Sequence, residues 1–195
     1  MTNSKSAART VAFGLCGSFC SFAAVLPQVR ELRNRGWEIL PILSNSAATQ
    51  DTRFGTADAL QKTLLELTGH TPLTTLQAVE PLGPEHMARA LVIAPATGTT
   101  MALLAAGISS TPVTLAAKSL LRGGCPVVVA PSTNDGLAGS APALAALLQR
   151  KHYYFVPFGQ DDSYKKPNSL KSDFSQLPDA LESALRGVQM QPMLL

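Results

Sequence analysis

The chain has 195 residues, 46% of them hydrophobic, only 15% charged, and a formal net charge of +3. That length and apolar content suit one sizeable core, so a single domain over residues 1–195 is expected. The cations are spread thinly, without a block of five like charges, which argues against nucleic-acid binding through a basic stripe. No apolar run reaches the roughly 18 residues of a membrane span, and the polar start MTNSKSAART has no apolar segment behind it, so a soluble, cytoplasmic chain is expected.

In chain order, TVAFGLC (10–16) reads as a first strand. FAAVLPQVRELRNRG (22–36) has helical apolar spacing and ends on Gly36, with Pro27 tolerable in its first turns. WEILPILS (37–44) is a second strand, NSAATQDTRFG a polar loop, and TADALQKTLLELTG (56–69) a helix capped by Thr56 and stopped by Gly69. TTLQAV (74–79) is read as a modest third strand, followed by the Pro-Gly punctuation of EPLGPEH. ALVIAP (90–95) is a buried strand breaking through ATGTT into the helix MALLAAGI. PVTLAAKSLLRGG (112–124) is helical, CPVVVAP (125–131) another buried strand, and STNDG a polar turn. SAPALAALLQRK is helical, HYYFVPF (152–158) a last strand, and LPDALESALRG (177–187) a closing helix. QDDSYKKPNSLKSDF (160–174) is a polar connection of lid length; a disordered tail is the alternative.

Strands alternating with helices give an α/β fold, a doubly wound, flavodoxin-like (Rossmann-like) parallel sheet with helices on both faces. Such sheets take ligands beyond the carboxyl ends of their strands. Four turns fall there, 17–21, 44–49, 96–100 and 132–136, all rich in Ser, Thr, Asn and Gly and free of Lys and Arg. The pattern suits a phosphate held by N–H and hydroxyl donors. Neither G-x-x-x-x-G-K-[ST] nor G-x-G-x-x-G occurs, which leaves a mononucleotide, with FMN the usual occupant of such a crevice. The candidate cofactor residues are Gly17, Ser18, Phe19, Ser44, Thr97, Gly98, Thr99, Thr100, Ser132 and Asn134. For Gly17 and Ser18 an ordinary tight turn with a capping serine is the alternative.

Asp135 is read as a helix cap rather than a ring contact, because a carboxylate would oppose negative charge developing on a reduced flavin. His70, His86 and His152 have no carboxylate or cysteine at ligand spacing, so no metal site is expected. Cys16, Cys20 and Cys125 read as small apolar residues in a reducing compartment. The low charge content suggests that part of the surface is covered in a homo-oligomer.

The segments CGSFCSF, TRFG, EPLGP, IAPATGTT, AAKSLLRG, PSTNDGL, KHYYFVPFGQDD, KKPNSL and QPMLL resemble the B-subunit family of the dipicolinate synthases of spore-forming bacteria, from Val11 to the last residue. That family is similar in turn to the flavin-dependent cysteine decarboxylases. The resemblance implies an oxidoreductase subunit that turns dihydrodipicolinate into dipicolinate during sporulation, in the mother-cell cytoplasm. It also implies an A subunit with a nicotinamide-type dinucleotide fold, through which NAD(P) would enter, and assembly as a trimer or a multiple of it. Two alternatives stay open: a non-catalytic subunit supporting A, and an FMN-dependent decarboxylase-like enzyme. The family's TGNT reads TGTT here, so Thr99 replaces an amide and weakens the decarboxylase reading. A dicarboxylate calls for cations, and the candidates are Arg53, Lys118, Arg122, Lys165 and Lys166. For Lys118 and Arg122, spaced i and i+4, a solvated face or subunit contact is the alternative. No catalytic acid or base is assigned.

Overall fold

A computed structural model describes residues 9–195. Its strands are β1 (Thr10–Leu15), β2 (Glu38–Leu43), β3 (Leu91–Ala96), β4 (Val127–Thr133), β5 (Tyr153–Phe155), β6 (Phe158–Asp162) and β7 (Lys166–Ser172). The helices are α1 (Phe22–Asn34), α2 (Asn45–Thr49), α3 (Ala57–Thr68), α4 (Leu76–Val79), α5 (Gly98–Ala106), α6 (Pro112–Arg122), α7 (Ala141–Leu148) and α8 (Leu177–Leu185).

All six residues of β1 and of β3 are buried, as the continuous apolar runs require of strands covered on both faces. Alternation then sorts the side chains. Val11, Phe13 and Leu15 pack with Val25 and Val29 of α1, Leu64 of α3 and Leu181 of α8 on one face. Ala12 and Cys16 pack with Met101 of α5, Val113 of α6 and Leu147 of α7 on the other. Gly14 is where α6 comes nearest to β1, since a Cβ there would lie 3.0 Å from Val113 Cγ1.

The parallel strands stand in the order β2-β1-β3-β4-β5. This is the flavodoxin-like order, whose winding reverses between β1 and β3 and opens a crevice at their carboxyl ends. β4 is shared along its length: Val127–Val129 pair with β5, and Ser132 and Thr133 pair antiparallel with β7. β6 and β7 form an antiparallel hairpin, so the sheet is mixed but predominantly parallel.

Caps were the most legible signals. The Thr56 side chain accepts from Ala59 N, and Gly69 ends α3 in the left-handed region, φ 77°. Thr111 and Thr114 form a reciprocal capping box on α6. Pro27 is the sixth residue of α1, later than its first turn, and it leaves the Ala23 carbonyl without a helical donor. Both residues are exposed, so water can take that bond.

Three expectations need correction. TTLQAV is not a strand: Thr75 caps α4, Val79 is buried, and only Leu73 bridges to Ile42 of β2. The polar stretch after β2 begins as α2, capped by Ser44. Residues 160–174 are neither an irregular lid nor a tail; most of them build the β6–β7 hairpin.

Candidate functional site

A crevice of about 630 Å³ lies beyond the carboxyl ends of β1, β3 and β4, lined also by β7 and Phe54. It falls in the size range of small-molecule and cofactor sites. Three of the four predicted turns meet in it, 17–21, 97–99 and 132–135.

The first turn leads into a single 3-10 turn, Phe19–Ser21, which runs on into α1. Ser18 stands at its N-cap but makes no side-chain cap bond. Its hydroxyl instead lies 2.9 Å from Ser132 Oγ, which is 2.8 Å from Ser21 Oγ. This hydroxyl trio ties the loop after β1 to the end of β4. It also leaves the Phe19 and Cys20 N–H groups uncapped, because the first turn bond runs from Ser21 N to Ser18 O.

The second turn is capped differently. Thr97 Oγ1 accepts from Thr100 N at 3.2 Å and lies 3.0 Å from Thr100 Oγ1. The Gly98 and Thr99 N–H groups precede the first bond within α5, so two helix N-termini offer backbone donors to one crevice.

The third turn supplies a carboxylate. Asp135 Oδ1 accepts from Thr133 Oγ1 at 2.5 Å and Ser140 Oγ at 2.7 Å. The Thr133 hydroxyl, then the Ser140 hydroxyl, hold its pKa below the usual carboxylate value. Asp135 therefore ties the turn together, which corrects the expectation from sequence that it caps the next helix: α7 has Ser140 at its N-cap and no side-chain cap bond. Gly98 lies against this cluster. A Cβ there would collide with Ser140 Oγ and lie 3.0 Å from both Asp135 Oδ1 and Thr133 Oγ1.

The fourth wall comes from the hairpin. Lys166 Nζ is 2.6 Å and Lys171 Nζ 3.8 Å from the two Asp161 oxygens, and all three residues line the crevice. The Lys166 hydrogen bond is the main reason the Asp161 pKa lies below its ordinary value. Burial pushes the Cys16 thiol, behind the crevice, up to about 11, which keeps it neutral.

The family model described as Flavoprotein matches residues 1–141, a span holding all three converging turns but not the hairpin. The B subunit of dipicolinate synthase from Bacillus subtilis (strain 168) is 41% identical over 187 residues, covering 96% of this chain and 94% of the relative. The chain belongs to the flavoprotein family, in its group of dipicolinate synthase B subunits.

The crystal structure of the dipicolinate synthase B subunit from Bacillus halodurans superposes on this flavoprotein with a TM-score of 0.89, at 38% identity and 97% coverage of both chains. That of the FMN-dependent cysteine decarboxylase SpaF gives 0.64 at 27% identity, covering 91% of this chain and 98% of the other. The match to the Bacillus halodurans subunit extends beyond the span of the family model, over nearly the whole chain.

Of the predicted cofactor set, Gly17, Ser18, Phe19, Thr97, Gly98, Thr99, Ser132 and Asn134 line the crevice of this flavoprotein. Ser44 and Thr100 do not. Ser44 is buried, caps α2 through Ala47 N at 3.3 Å, and lies 3.2 Å from Ser46 Oγ, behind Gly17. Thr100 is buried against Thr97. The cations divide more sharply. Lys166 lines the crevice, whereas Lys165 is exposed at the hairpin tip and Arg53 stacks on the Phe54 ring at 4.8 Å. Lys118 and Arg122 line a different cavity on α6. Sequence reasoning did not single out Phe54, Ser140, Asp161 or Ser169 as crevice residues. Reading 158–172 as a hairpin would have pointed to two of them.

Among the described residues, no three His, Cys, Asp or Glu side chains stand together as metal ligands, and no helix is long and apolar enough to cross a membrane.

Proposed function

We propose that this flavoprotein is the B subunit of a dipicolinate synthase, an FMN-binding oxidoreductase subunit that converts dihydrodipicolinate to dipicolinate in a sporulating cell. One observation carries the reading. Residues with uncapped N–H groups, Phe19–Cys20 and Gly98–Thr99, line one crevice at the point where the winding of the sheet reverses. That fits a phosphate with an extended aromatic body, because backbone dipoles and hydroxyls bind the phosphate without a lysine.

When bound, FMN supplies a two-electron oxidant for a dihydropyridine ring, whose aromatisation favours the reaction. The chain's own residues bind and orient. Ser18, Ser21 and Ser132 fix the turn that would receive phosphate. The Thr133–Asp135–Ser140 cluster packs against Gly98 and leaves no room for a side chain there. Lys166 and Lys171, on the hairpin wall, are placed to meet the two carboxylates of the substrate. Asp161 aligns their ammonium groups beforehand. The hairpin is the lid in this reading, and Thr99, exposed at the rim with a single hydroxyl, disfavours the decarboxylase alternative.

The reading includes a single catalytic domain in a homo-oligomer, a trimer or a multiple, partnered by an A subunit that exchanges reducing equivalents through NAD(P), in the cytoplasm. The test is co-expression with an A subunit and assay of dipicolinate formation with and without added FMN. Purified protein should carry flavin absorbance, and dipicolinate formation should require it. Colourless protein that supports full activity without FMN would refute the reading.

A further inference from the structure

A second cavity of about 800 Å³ lies on α5 and α6, away from the crevice. Leu104, Gly107 and Ile108, from the carboxyl end of α5, line it together with Leu115 and Leu121 of α6 and Tyr153 of β5. Ile108 is 49% exposed, unusual for an isoleucine with no covering chain. Four of the chain's 16 Lys and Arg, Lys118, Arg122, Arg150 and Lys151, line the same cavity, and Glu80 is its single acid. Among the described residues, none of the four forms an ion pair within 4 Å. The adjoining His152 has φ 70°, a left-handed backbone that a residue with a side chain adopts at a cost.

We infer that this basic groove is the docking site for an acidic segment of the A subunit, anchored by an apolar or aromatic side chain on the Leu104–Ile108–Leu115 floor. The inference rests on the two-subunit synthase proposed above.

Three observations favour this occupant. First, the groove lies at the negative end of α5, where Arg150 donates to the Leu104 carbonyl at 2.8 Å and to the Ala105 carbonyl. The first turn of α6 reaches the groove at Thr114, but that N–H already donates to the Thr111 hydroxyl, so the positive charge offered to carboxylates sits on side chains, chiefly Lys118, Arg122 and Lys151. Second, an apolar floor with a cationic, Arg-containing rim has the anatomy of a protein interface. Third, the chain itself is net positive, +3, so a second copy is electrostatically the poorer partner for a basic groove. Helix α5 joins the two regions: Gly98, its first residue, lines the crevice, and Leu104 lines the groove.

The experiment titrates the A subunit into the full chain and into Lys118→Glu/Arg122→Glu, by calorimetry at two salt concentrations. Both residues are exposed, so the helix tolerates the change, and Lys118→Ala/Arg122→Ala is the milder control. Charge reversal should weaken association at least tenfold and the alanine pair by less. Association of the parent chain should weaken with salt. Flavin absorbance and the self-assembly of the isolated chain should be unchanged in both variants. Undiminished association, or loss of self-assembly with association intact, would overturn the inference, the latter because a second copy would be the occupant. So would a parent chain that does not bind the A subunit. Groove-dependent association by a chain that retains no flavin would instead support the docking site and refute the oxidoreductase reading.

Discussion

Gly98 is where the architecture of the crevice can be tested by a single methyl group. A Cβ at this position would collide with Ser140 Oγ and press on Asp135 Oδ1 and Thr133 Oγ1 at 3.0 Å. The cheapest relief is to turn the Ser140 hydroxyl away from Asp135, losing a hydrogen bond now 2.7 Å long. A bond to a charged acceptor contributes about 1.5–3 kcal/mol. Against that, alanine in place of glycine in a helix returns up to about 1 kcal/mol, and less at the first position. The net expectation for Gly98→Ala is a loss of about 1–2 kcal/mol, or roughly 2–8 °C in Tm for a chain of this size. Thermal unfolding followed by circular dichroism reads the shift. Because the clash is with the hydroxyl itself, Gly98→Ala/Ser140→Ala should cost about 1–2 kcal/mol less than the two single changes added together. Equal stability for Gly98→Ala and the parent, or additivity within about 0.5 kcal/mol, would refute the packing argument.

Ser18→Asp places a carboxylate beside the proposed phosphate; like charges about 4 Å apart repel by about 4 kcal/mol at an effective dielectric of 20, roughly a thousandfold in affinity. Unchanged FMN affinity, by fluorescence titration, would move the phosphate elsewhere. Lys166→Ala/Lys171→Ala should raise KM for dihydrodipicolinate, more so at low ionic strength, and leave kcat within a few-fold, whereas Lys165→Ala should change neither. A fall in kcat at constant KM would show the lysines acting on the reaction rather than on binding. Asp135 has a depressed folded pKa, so its contribution to stability is present above the ordinary carboxylate range and is lost as pH falls through the folded value. Asp135→Asn should therefore flatten the acid limb of a Tm-versus-pH curve, and a limb identical to the parent's would count against the ionised form as the stabilising one.

The parallel half of the sheet was legible in the sequence because its strands are written as unbroken apolar runs and its helices as capped, periodic ones. Thr56 and Gly69 occupy the cap positions read from sequence. The elements that sequence reasoning misread are those whose stability comes from elsewhere. Thr74–Val79 has the β-branched content of a strand, but Thr75 offers a cap, and Val79 is buried in the cluster that includes Leu120 of α6. Lys166–Ser172 is polar and contains Pro167, so its own preferences favour a loop. Pairing with β6 and with the last residues of β4 makes it a strand. The site divides along the same line. Hydroxyl turns at strand ends follow from the fold class, whereas the choice among Arg53, Lys118, Arg122, Lys165 and Lys166 depended on helix orientation and on a hairpin that the sequence did not announce.

The proposed function requires one crevice to receive two different anions, and its charge distribution bears on how. Asp135 and Asp161 offset Lys166 and Lys171 among the lining residues, so attraction for a phosphate must come from local dipoles rather than net charge. Those dipoles are concentrated at the 18–20 and 97–99 turns, whereas the ammonium groups belong to β7, whose Lys171 pairs with Ser132 of the hydroxyl trio. Within β7 the two lysines are also unequal. Lys171 is paired on both sides, with Ser132 of β4 and Gly159 of β6, so its position is set by the same strand end that anchors the hydroxyl trio. Lys166 pairs only with Asp162, beside the hairpin tip, and its side chain is held at 2.6 Å by Asp161. A dicarboxylate entering the crevice must compete with Asp161 for Lys166, but it meets in Lys171 an ammonium 3.8 Å from that carboxylate and less committed to it. Lys171 is thus the better fixed and the more available of the two.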